Sequence, residues 1–213
     1  MLHVRQTTKG LFSAEFRILD NNGWEIGTIA FQGNLGSMEG VFDIRCHGRA
    51  VTLRSCKNRE AAVLIGVRKN HRLYRPYTVR EDGGLGVMFH EQDGGFFAVN
   101  PMDWHFLRLG GHDYQLYHVG FGKNGIRAPI YDGGVCVAEI RKPCLIVDGL
   151  HSFDILLADQ AYTLPALCLN CYMYVITYYQ AGVLVKSGQT WRTYTTRKRE
   201  LLAMCHNQFS DIP

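Results

Sequence analysis

The chain lacks the short signatures that assign a class of chemistry. It has no Gly-x-Ser-x-Gly elbow, no phosphate-binding loop and no His-Glu-x-x-His pair, so the motifs of serine hydrolases, P-loop nucleotide enzymes and zinc peptidases are missing. Excess charge is small. Twenty-three Lys and Arg stand against 19 Asp and Glu, a formal +4, well short of a nucleic-acid binder although compatible with an anionic partner. No apolar signal core follows Met1-Leu2-His3-Val4-Arg5. The seven cysteines (Cys46, Cys56, Cys136, Cys144, Cys168, Cys171, Cys205) are odd in number and irregular in spacing, which argues against a disulfide framework and for a reducing, cytoplasmic compartment. With 46% hydrophobic and 20% charged residues, the composition is that of a globular chain with a real core, leaving disorder only for the ends.

What is present is mostly alternation. Phe12, Ala14, Phe16 and Ile18 alternate with polar partners, and Asp20-Asn21-Asn22-Gly23 then turns the chain. The two-residue period returns at Val51 and Leu53, Tyr114 and Leu116, Ile126 to Ile130, and Phe153 to Leu157. Between these runs lie Asp82-Gly83-Gly84, Asp93-Gly94-Gly95, Gly110-Gly111-His112-Asp113 and Asp132-Gly133-Gly134, the chemistry of tight hairpins with positive φ. About a dozen strands result, spaced as in a barrel or sandwich. No helical pattern interrupts them, which excludes a parallel α/β sheet.

The pattern changes after Tyr162. Residues 161–185 carry no charge, and 164–181 are apolar on nearly every face. Thr163 suits the cap, Pro165 the first turn and Gly182 the left-handed stop, giving a helix over 163–181 of roughly 27 Å. A helix apolar all round is buried in protein or in lipid. Asn170, Thr177, Gln180 and five tyrosines spread along it (Tyr162, Tyr172, Tyr174, Tyr178, Tyr179) favour protein, because an aromatic belt would gather at the two ends. The sequence therefore predicts a mainly β fold over 1–186, a closed antiparallel barrel of about 12 strands around this helix, since a barrel wider than eight strands has room for one. Residues 187–213 form a basic, amphipathic extension. Arg192, Arg197, Lys198 and Arg199 precede an apolar stripe of Leu201, Leu202, Cys205 and Phe209, suited to packing on the barrel, to a dimer contact or to a membrane surface.

The order of these elements, together with Gly120-Phe121-Gly122-Lys123-Asn124-Gly125, Ile130-Tyr131-Asp132-Gly133-Gly134, Val137-Ala138-Glu139-Ile140-Arg141-Lys142 and Phe153-Asp154-Ile155-Leu156-Leu157, resembles the tubby C-terminal-like fold, which includes LURP-one-related and scramblase-like proteins. The resemblance covers roughly residues 11–181. It implies a non-enzymatic domain, in some members tied to phosphoinositides or membranes. The basic pocket of tubby proteins has no residue-by-residue match here.

Candidate chemistry is sparse. Gly120-x-Gly122-x-x-Gly125 fits the dinucleotide-loop expression, but Ile126-Arg127-Ala128-Pro129-Ile130 follows, an extended stretch where a helix is needed, so it reads as a turn. Cys168-x-x-Cys171 is half a zinc site without a second pair, and reads as core. His105, His112 and His118, near Asp103 and Asp113, have no spacing specific to a metal or to acid–base work. No cofactor, metal or catalytic residue is expected. The expected function is a binding or regulatory module for a membrane surface or anionic lipid head group, with Arg192, Arg197, Lys198 and Arg199 as candidate ligand contacts. A structural, self-associating domain and an enzyme with a loop-built site are the alternatives.

Overall fold

The computed structural model describes residues 1–10, 12–34, 39–67, 73–81, 83–93, 102–120, 125–143, 147–175 and Phe209. Thirteen strands and two helices follow in the order β1 (Leu2–Lys9), β2 (Ser13–Leu19), β3 (Glu25–Asn34), β4 (Glu39–Cys46), β5 (Arg49–Ser55), α1 (Asn58–Ile65), β6 (Tyr74–Glu81), β7 (Gly84–Asp93), β8 (Met102–Leu109), β9 (His112–Tyr117), β10 (Val119–Gly120), β11 (Ile126–Asp132), β12 (Val135–Lys142), β13 (Ser152–Leu157) and α2 (Thr163–Met173). Each strand from β1 to β9 pairs with the next, β11 to β13 do the same, β13 pairs with β1, and β9 pairs with β11. Every pairing is antiparallel. Twelve strands thus close into a barrel, and the two-residue β10 lies alongside β11. Closure leaves no long edge to pair with another chain.

Three of the expected turns are described in full, at residues 20–23, 110–113 and 132–134, whereas Asp82, Gly94 and Gly95 of the other two lie outside the described residues. Gly110-Gly111 and Gly133-Gly134 have positive φ at both positions, the two-residue hairpin whose twist matches its strands. Asp20 closes the β2–β3 turn by accepting at Oδ1 from the backbone N–H groups of Asn22 (2.8 Å) and Trp24 (2.9 Å). One expected strand residue is misplaced: Phe12 stands 62% exposed outside β2, while Ala14, Phe16 and Ile18 point into the core.

α2 runs up the lumen. Every residue from Leu164 to Val175 is buried, and Leu164, Leu167, Cys168 and Tyr172 join inward residues of nearly every long strand, from Val4 and Phe16 to Ile140 and Ile155, in one apolar cluster. This is the predicted helix in the predicted place. Its start differs. Thr163 is the first helical residue rather than the cap: Tyr162 precedes it without a side-chain capping bond, and Asp159 caps instead a turn of 3₁₀ helix over Gln160–Tyr162 that feeds α2, accepting from the Ala161 N–H at 2.7 Å. The expected stop at Gly182 lies outside the described residues.

A helix does interrupt the strands, contrary to the sequence reading. α1 packs on the outside of the wall, where Ala61 and Ala62 meet Leu73, Val87 and Phe89. Its eight residues are two turns, too few for a helical period to register against strand alternation. Among the described residues no helix is long and apolar enough to cross a membrane.

Candidate functional site

Alternation sorts side chains into an inner and an outer set, and the chemistry-bearing residues fall in both. On the inner side, near the C-terminal end of α2, three histidines meet: His90 of β7, His105 of β8 and His118 just beyond β9. His90 and His105 are register partners, with Nδ1 atoms 3.2 Å apart. His105 is 3% exposed and lies edge-on to His118 at 4.8 Å and to Tyr172 of α2 at 5.0 Å between ring centroids. Tyr172 donates its hydroxyl to the backbone carbonyls of Tyr74 (3.1 Å) and Arg75 (2.9 Å), and Arg75 holds a left-handed backbone, φ 51°.

His105 and His118 are neutral. Burial, then the neighbouring His118 and His90, holds His105 far below the ordinary imidazole range. Burial, then His90, lowers His118 to about 4. The Nε2 of His105 is buried with no hydrogen-bond partner. No three His, Cys, Asp or Glu side chains among the described residues are arranged to hold a metal ion.

The expected grouping of His105, His112 and His118 is therefore only partly realised. His105 and His118 come together. His112 sits at the opposite end of the barrel, bonded through Nδ1 to Asp132 Oδ2 at 2.9 Å. Asp113 forms a bidentate pair with Arg108 (2.6 and 2.7 Å), and the Asp103 side chain lies outside the described residues. His112, Asp113 and Asp132 line a shallow cleft of about 360 Å³ between the β8–β9 and β11–β12 hairpins, with Asp113 paired to Arg108 and Asp132 bonded to His112. Cys168 and Cys171 are buried in α2 as free thiols, and burial pushes both up from the ordinary thiol value.

The outer wall carries a different set. Arg45 of β4, Arg54 of β5 and Arg80 of β6 are exposed because their strand neighbours Ile44, Cys46, Leu53 and Val79 point inward. Arg80 stands opposite Thr52 and Arg54 opposite Thr78, which makes the two arginines diagonal neighbours, roughly 7–8 Å apart and within side-chain reach. None of the three makes an ion pair or side-chain hydrogen bond among the described residues, although Asp43 lies in the same outward row, bonded to Thr52 at 2.9 Å. Elsewhere on the wall Arg5 is matched with Asp154, Arg17 with Glu25 and Arg49 with Glu81.

A third feature lies outside β11, β12 and β13. Glu139 has no solvent exposure, yet points outward between Arg127 (2.8 and 2.8 Å) and Arg141 (2.7 Å). Beside it Phe209, 4% exposed, packs on Tyr131, Cys136 and Leu156, and Arg141 donates to its backbone carbonyl. One residue of the expected stripe thus lies against the outer wall. Arg192, Arg197, Lys198, Arg199, Leu201, Leu202 and Cys205 lie outside the described residues. No known family model, curated protein or solved structure matches the chain.

Proposed function

We propose that this chain is a non-catalytic binding module of the cytoplasm, which presents arginines to a membrane surface carrying anionic lipid head groups. The observation that carries the reading is the set Arg45, Arg54 and Arg80, exposed on adjacent strands with no ion pair among the described residues. Arginine presents a planar fork of donors matched to phosphate, and unmatched cations on one face are a poor contribution to fold stability but a good one to anion binding. Filling the lumen with α2 leaves the outer wall as the surface for a partner. The sequence adds a second basic source: residues 176–213 hold five cations (Lys186, Arg192, Arg197, Lys198, Arg199) against Glu200 and Asp211, a net +3 of the chain's +4. A closed twelve-strand meander around a C-terminal helix also supports the tubby-like resemblance, with its link to membranes.

Flotation with phosphatidylcholine vesicles, with and without phosphatidylserine, tests the reading. Binding to the anionic vesicles alone is expected, weakening as salt rises. Each cation near an anionic leaflet is worth about 1 kcal/mol, so changing Arg45, Arg54 and Arg80 together to Gln should weaken binding by about a hundredfold. Equal binding by the folded triple variant, or no binding by the native chain, defeats the proposal.

A further inference from the structure

The contact made by Phe209 has the parts of a recognition site. The socket is apolar: Tyr131, Cys136 and Leu156 are 5%, 6% and 1% exposed with Phe209 in place, and Met1 and Tyr117 close its edges. A directional donor stands next to it, since the Arg141 guanidinium bonds the Phe209 carbonyl. That guanidinium is fixed in turn, because its Nε is bonded to Glu139, which Arg127 holds through two further bonds. A cation pre-set by a buried carboxylate loses little freedom on binding and makes a strong charge-assisted bond. The site thus reads one aromatic ring and one main-chain carbonyl, the combination by which grooves recognise short peptide segments.

The geometry points to a peptide-acceptor site on the outer wall of β11, β12 and β13, which takes a phenylalanine-bearing segment and holds the chain's own Phe209 as an exchangeable ligand. Because Phe209 belongs to the same chain, a competing segment must outbind a tethered one. Cys136 reports occupancy. It lies beneath the ring, and burial first, then Glu139, raises its thiol to about 11. An empty socket returns water to the thiol and restores reactivity.

The experiment uses the full chain and measures alkylation at each cysteine by mass spectrometry. In native protein Cys136 should react slowly. In Phe209→Ala it should react about tenfold faster, the rise in thiolate that one unit of restored acidity gives. Cys168 and Cys171, buried in α2, should remain protected and so report that the barrel is intact. Adding a peptide of residues 205–213 to Phe209→Ala should return Cys136 to its slow rate, and the same peptide carrying the Phe209→Ala change should not. Should Cys168 and Cys171 also react, Phe209→Val, which stays apolar but leaves part of the socket open, takes the place of the alanine variant. Unchanged Cys136 reactivity in the folded variant overturns the contact. Equal protection by both peptides, or by neither, overturns the exchangeable site.

Discussion

At the scale of single residues, Glu139 and the buried histidines show how much chemistry is hidden by position. Glu139 is enclosed between two arginines whose side chains are 15% and 33% exposed, so removing its charge takes the buried anion away from both. Glu139→Gln should cost about 3 kcal/mol of unfolding free energy, read as a shift in denaturant midpoint at unchanged slope; a loss under ~0.5 kcal/mol would mean that the pair is solvated and marginal. Gly27 is a second test. A Cβ there would run into the Arg45 carbonyl and lie 2.9 Å from the Cys46 Cα, both backbone atoms of the paired strand. Gly27→Ala should therefore part β3 from β4 locally, and a melting temperature equal to native would contradict the close approach. The sequence signalled some of this and hid the rest. Ala14, Phe16 and Ile18 alternate cleanly because the outer face of β2 is in water. His90 gave no signal, because the outward neighbours Val87 and Phe89 are also buried under α1 and the two-residue period vanishes. Arg45, Arg54 and Arg80 look like any exposed strand residues until pairing shows which cations have no partner among the described residues. Phe209 meets Tyr131 and Cys136 across more than 70 residues, beyond any local pattern.

At the scale of elements, the central helix was readable because nothing charged occurs in it and nothing polar repeats along it. All of it is buried, so no face needed polar residues. Leu167 is fully enclosed. Leu167→Ala should cost about 3 kcal/mol through the cavity left behind, whereas Leu167→Asp should leave the chain unfolded or insoluble, since an unpaired buried charge has no compensation. Soluble, cooperatively melting Leu167→Asp protein would show that α2 is not enclosed. The cap expected at Thr163 is displaced because the chain first makes a 3₁₀ turn, capped by Asp159, and enters α2 through Tyr162. Asp159→Ala should cost about 1 kcal/mol, visible as earlier exchange of the amides in the 3₁₀ turn that leads into α2; no change would show that the Asp159 bond adds nothing to that turn.

For the whole molecule, stability should depend on pH through groups buried without their charge. His105 is far below its ordinary value, His118 stands at about 4, and His151, lowered by burial and then by Lys142 and Lys9, at about 3. The unfolded chain takes up these protons near the ordinary value of 6.5 and the folded chain does so only lower. The stabilisation is therefore complete above that value and is lost as pH falls from 6.5 toward 4 and below. Each such proton adds a slope of roughly 1.4 kcal/mol per pH unit. Asp154 acts in the same direction at lower pH: burial opposes its charge, but hydrogen bonds from His3 and Arg5 outweigh this and hold it below the usual carboxylate range. A melting temperature that is constant from pH 7 to pH 4.5 would contradict the buried neutral histidines. The larger claim is that α2 fills the lumen and leaves the outer wall to bind partners, and hydrogen exchange of the full chain tests it most directly. Amides of residues 164–174 should exchange as slowly as those of the inner strands, through global unfolding only. Exchange of those amides as fast as the exposed turn at residues 20–24 would show an open barrel, and the account would fail.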